Sequence, residues 1–262
     1  MNKTTRIAAI ALAVVVVVIG GGLFWYLRDD APAAVSLESA TESLSTSTGD
    51  SADEPASGGA DDSAEPSDAT AAPGPTVELP GAWSVDTKSG EFDFESATGT
   101  FAGFRINETL SEIGEATAVG RTGDVEGSIE IVDTTLSVAG FTVDLSTITT
   151  NDLGRDDKVQ GALETDRFPS ATFVLAEPVD LGADAAAGKP ISVDAAGDLT
   201  IHGVTKAVVF PLEAQLVGST IVIVGSLEIS LADFGVVAPT APIVLSVEDV
   251  AIVEFQLLLV KS

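Results

Sequence analysis

From residue 81 onward, apolar and polar side chains alternate along one run after another. Phe141, Val143 and Leu145 fall on one side of an extended backbone, Thr142 and Asp144 on the other; Val253, Phe255, Leu257 and Leu259 likewise oppose Glu254 and Gln256. A period of two buries one face of a strand and leaves the other outside the core. Further strand-like runs cover 128–131, 193–201, 208–216, 220–231 and 250–260. Turn residues separate them at Thr122-Gly123-Asp124, Ala139-Gly140, Gly182, Gly188-Lys189-Pro190 and Gly218-Ser219. Only 151–163 reads as a helix, with Asn151 or Asp152 as N-cap and Asp156 and Asp157 early in it. Many antiparallel strands with one short helix predict an all-β domain over 81–262, a barrel or a sandwich.

Two segments of different character precede it. Residues 7–27 are 21 positions without a charge, including Val14-Val15-Val16-Val17-Val18-Ile19. A helix needs about 20 such residues to cross a bilayer, and Trp25 and Tyr26 stand where an interfacial aromatic belt falls. Lys3 and Arg6 precede the segment, and Arg28 is followed at once by Asp29 and Asp30. The expectation for 1–28 is a single transmembrane anchor with a cytoplasmic N-terminus, which places the folded domain outside the cytoplasm. A cleaved signal peptide is the other reading, with Ala31-Pro32-Ala33 as a small-residue site. Both readings export the domain. Residues 29–80 are rich in Ala, Ser, Thr, Gly, Pro, Asp and Glu; they read as a disordered acidic linker, because such a composition buries too little surface to offset its ordering entropy.

The charge balance excludes several classes of partner. Forty acids against 12 bases give a net charge of −28. Nucleic-acid binding needs clustered cations, so nucleic acid is not an expected partner. Docking onto anionic lipid is disfavoured for the same reason. The chain has no cysteine, which removes disulfides, thiolate metal sites and thiol nucleophiles together.

The one histidine lies in Gly197-Asp198-Leu199-Thr200-Ile201-His202-Gly203-Val204-Thr205-Lys206, a strand running into a tight turn. A hydrolase would set His202 beside a nucleophile and a carboxylate, and Asp198 and Ser192 are near in sequence. No G-x-S-x-G elbow marks an activated serine. The other reading is a histidine that closes a strand end through a hydrogen bond to a neighbouring loop. One histidine and no cysteine leave only carboxylates to complete a metal site, so no metal or other cofactor is expected.

Several motifs together resemble the YceI-like family of lipocalin-like, polyisoprenoid-binding proteins. They are Trp83-Ser84-Val85-Asp86, Asp144-Leu145-Ser146 followed by Arg155-Asp156, Phe168-Pro169-Ser170-Ala171-Thr172-Phe173, the histidine segment above, Asp233-Phe234-Gly235-Val236, and the last strand. The resemblance covers about 82–260. One departure is the absence of a His-Ser pair after the opening strand, where Thr87-Lys88-Ser89 stands instead.

The resemblance implies an extended antiparallel barrel holding an isoprenoid or another long amphiphilic lipid in its lumen, with no enzymatic activity. Phe104, Phe141, Phe173, Ile201 and Phe255 are the expected lumen lining. Arg155, His202 and Lys206 are candidates for a polar end, because the family motifs contain them. Two alternatives stand beside this reading: a protein-interaction module with a solid barrel core, and a hydrolase using His202.

Overall fold

The computed structural model describes residues 31–49, 78–88, 92–111 and 114–262. The domain is all-β. Its strands are β1 (Gly81–Val85), β2 (Phe101–Leu110), β3 (Gly114–Thr122), β4 (Val125–Val132), β5 (Thr135–Asp144), β6 (Thr149–Thr150), β7 (Ser170–Leu175), β8 (Val179–Asp180), β9 (Ile191–Ile201), β10 (Val204–Val217), β11 (Thr220–Ser230), β12 (Val244–Val247) and β13 (Val250–Lys261). Among the described residues three α-helices accompany them: α1 (Leu37–Gly49), α2 (Leu153–Ala162) and α3 (Gly182–Ala186).

The order β1-β4-β5-β7-β9-β10-β11-β13 closes on itself because β13 also pairs with β1. The result is an antiparallel barrel of eight strands with the two-residue periodicity predicted. Closure is made at one end only. Leu259 to Lys261 pair with Val85 to Trp83, whereas Ile252 to Gln256 pair with Arg105 to Phe101 of β2, and β3 continues from there. The wall therefore divides toward the start of β13. At the β1 end, buried Trp83 donates from its indole Nε1 to the Leu79 carbonyl at 2.9 Å. There it packs with Leu136, Ile221, Leu259 and Ala185 of α3, which shuts that end. The other end, bounded by Leu110, Ser230 and Val250, is where α2 lies.

Helix α2 is close to the prediction. Asp152 is its N-cap, accepting from Gly154 N. Asn151 instead ties the helix to β3, accepting from Val119 N and donating to Thr117 O. Ala139-Gly140 is not a turn: both residues lie inside β5, and Gly140 pairs with Ser128 and Val174. The expectation of a single helix within 81–262 is corrected by α3.

Part of the stretch read as a linker is described. Leu37–Gly49 form α1, whose first turns lie against the barrel. In α1, Leu37, Ala40 and Leu44 recur at helical spacing and meet Val222, Val224 and Leu258 on the outer wall. Ser36 Oγ accepts from Ser39 N at the helix start. The acid-rich composition concealed this short apolar stripe. Residues 50–77 lie outside the described residues, as do 1–30 with the expected anchor. Among the described residues no helix is long and apolar enough to cross a membrane.

Candidate functional site: the barrel lumen

Inward-facing side chains of the strands enclose two contiguous cavities rather than a filled core. The larger, about 400 Å³, lies toward the open end between β2, β3, α2 and the segment 229–247. The smaller, about 100 Å³, continues toward the shut end. Ala102, Val143, Ala171, Ile201 and Val253 line both. The alternative reading required a solid barrel core, and the barrel does not have one.

All five predicted lining residues face this space. Phe104 lines the larger cavity, Phe141, Phe173 and Phe255 the smaller, and Ile201 both. Four of these residues share one device. Phe104 lies over Gly120, Phe141 over Gly127, Phe173 over Gly197 and Phe255 over Gly225, each glycine on an adjacent strand. A Cβ added to these glycines would sit 2.3–2.6 Å from the nearest ring carbon. The missing side chains let the rings lie back against the wall. Partly buried phenylalanines thus face the lumen without filling it. Phe210 links two of these rings edge-on, with centroids 5.5 Å from Phe173 and 5.4 Å from Phe255.

The polar groups sit at the open end. Glu108 of β2 lines the larger cavity and is almost wholly buried. Arg155, in the first turn of α2, forms an ion pair with it through Nη2 and donates from Nη1 to Asn151 Oδ1 at 2.7 Å. A buried carboxylate needs such a partner, since desolvation unopposed would cost several kcal/mol. Lys158 and Asp152 line the same cavity at its exposed edge. This end can offer hydrogen bonds to a small polar group, while the remaining wall is almost entirely apolar. Among the described residues no cluster of metal-ligating side chains occurs.

His202 and Lys206 do not join Arg155. Neither lines a cavity, and Lys206 is exposed on β10. His202 occupies the turn between β9 and β10 at φ +53°, followed by Gly203 at φ +72°. Its Nδ1 lies 3.2 Å from the Phe234 carbonyl oxygen, its Nε2 is 3.6 Å from Glu164 Oε1, and its ring meets Phe168 edge-on at 4.8 Å. Among the described residues no hydroxyl is bonded to it. The arrangement docks the hairpin tip onto the 3₁₀ turn Leu231–Phe234, so the strand-closing reading describes the geometry.

The sequence reading missed Glu108 and the apolar segment after Phe234. Val236, Ala238, Pro239, Ala241, Ile243 and Val244 all line the larger cavity. Residues 235–247 carry no charge, an unusual composition for a surface connection and the signal that was available. Glu108 had no comparable signal, because its burial follows from the position of α2.

The sequence profile of the YceI-like domain matches residues 83–258. A UPF0312 protein of Vibrio parahaemolyticus is 29% identical over 143 residues, covering 50% of this chain and 71% of that protein. The polyisoprenoid-binding domain from Saccharophagus degradans, at 22% identity, superposes with a TM-score of 0.52 over 70% of this chain and 99% of that one. BcnA of Burkholderia cenocepacia is 21% identical, with a TM-score of 0.47 over 60% of this chain and 95% of its own.

Proposed function

Because this chain belongs to the YceI-like family, we propose that its lumen holds the apolar tail of an isoprenoid or similarly long amphiphile, which the protein sequesters or carries without covalent chemistry. One observation carries the reading: an apolar lumen whose larger cavity is about 400 Å³, lined along both its cavities by phenylalanines lying over glycines, with the Arg155–Glu108 pair at its polar end. Its volume falls in the usual range for small-molecule sites, about 300–1,000 Å³. The name of the Saccharophagus degradans domain, which has the same fold, agrees with the chemistry of this lining.

Burying tail methylenes stabilises a complex by about 0.8 kcal/mol each relative to water. Relative to a bilayer the gain is near zero. Selection therefore falls on tail length and on the polar group beside Arg155. The proposal includes a tether at a membrane through residues 7–27 and a position outside the cytoplasm, for which the uncharged run and the flanking charges are the support.

The test is a length series. Isoprenoid alcohols of increasing chain length should bind with rising affinity until the lumen is filled, and then with constant affinity. Equal, weak binding at every length would refute the proposal.

A further inference from the structure

We propose that the open end of the barrel is a docking surface for an uncharged bilayer, a step that rests on the lipid-carrier reading above. Leu153 is 88% exposed, Val237 79%, Leu245 67% and Ile243 55%. They come from the first turn of α2, from the segment after the Leu231–Phe234 turn, and from the start of β12. Ile243 itself lines the larger cavity, and the other three are chain neighbours of residues that do, namely Gly154, Val236 and Val244. Exposed apolar residues therefore flank the lining of the cavity at its open end. Exposed apolar residues beside a binding cavity mark contact sites.

The occupant is identified by where the chain leads. Arg105 Nη1 donates to the Pro32 carbonyl at 2.7 Å, fixing residue 32 to the outer wall at β2. Four residues on, about 13 Å along the strand, Thr109 pairs with Ser246, next to Leu245 on the rim. In the other direction, four steps of chain from Ala31 reach Leu27, at most about 14 Å away, and Leu27 ends the 21 uncharged residues. A run of membrane-spanning length is thus joined by a few residues to the wall that carries the rim.

Charge then selects the surface. Asp152, Glu248 and Asp249 are exposed near these residues, against Lys158, so anionic headgroups are repelled and a zwitterionic surface is accepted. With the rim seated, an amphiphile's tail passes between bilayer and lumen without crossing water.

The chain has no cysteine, so single labels are unambiguous. The full chain carrying Leu245→Cys, labelled with an environment-sensitive fluorophore, is reconstituted in phosphatidylcholine vesicles containing spin-labelled lipid. Val138→Cys, exposed on β5, is the control. The Leu245 probe should shift to the blue and be quenched, and the Val138 probe should do neither. A Leu245 probe that behaves like the control in lipid-loaded protein would overturn the docking surface. A quenched Leu245 probe on protein that never takes up lipid would support docking and sink the carrier reading instead. Independently, Leu153→Glu/Val237→Glu/Leu245→Glu should slow lipid transfer between vesicles at least tenfold with the bound-lipid content unchanged. Unchanged transfer would also overturn the proposal.

Discussion

Arg121 and Glu254 meet across Gly103. Strand β2 runs between their own strands, and Gly103 is register partner to both. The guanidinium donates to Glu254 Oε1 from Nε at 3.0 Å and from Nη2 at 2.7 Å. A Cβ on Gly103 would lie 3.0 Å from Arg121 Cγ and 2.0 Å from the Gly120 carbonyl oxygen. The pair stands on the outside of the barrel, yet both side chains are out of water. Carbonyls of Ala33 and Phe94 accept from the same arginine, and the Phe101 ring lies 4.6 Å from its Cζ. Two polypeptide segments therefore roof this part of the wall.

Removing one partner should be costly. Arg121→Met leaves Glu254 with Arg105 Nε at 3.8 Å and the Val35 amide at 3.5 Å, and should destabilise the protein by about 3 kcal/mol. Arg121→Met/Glu254→Leu should recover much of that loss. The checks are urea midpoints at constant slope.

The roof should also be separable from the barrel. Ala40 is buried against the outer wall, so Ala40→Glu should release α1 at a cost of about 1–3 kcal/mol. Hydrogen exchange should then become fast at the amides of 36–44 while the barrel amides stay protected.

The lumen depends on its glycines. Gly120→Ala puts a methyl group 2.3 Å from Phe104 Cε1, and the ring must swing into the larger cavity. Bound lipid should weaken about tenfold, or about 1.4 kcal/mol, with the circular dichroism unchanged. Lipid titration of the variant measures it.

His202 should prove structural. Asparagine tolerates the left-handed backbone of this turn and valine does not. His202→Asn should keep both fold and lipid content, whereas His202→Val should lose about 1–2 kcal/mol of stability. Loss of lipid from a stable His202→Asn protein would return this residue to the binding site.

The strands were legible because alternation is a local property, and the start of α2 because Asp152 is a strong cap. Closure was not legible: it depends on β13 finding β1 with a few residues and β2 with a few others. The phenylalanines were recognisable as inward-facing, but the lumen stays open through glycines on adjacent strands, a relation that appears only once the register is fixed. Arg155 was picked from a motif, while its partner Glu108 lies 47 residues away. Helix α1 was not legible because Leu37, Ala40 and Leu44 are few among many small and acidic residues. His202 stood out as a lone histidine, and its position in a turn explains its place in the motif without chemistry.

The central claim is that the lumen is occupied by one long amphiphile, and native mass spectrometry of protein purified from its host tests it most directly. The account predicts one lipid per chain, released on denaturation and extractable as a species with a long apolar tail. A chain that flies at its bare polypeptide mass, with nothing extractable, would contradict it.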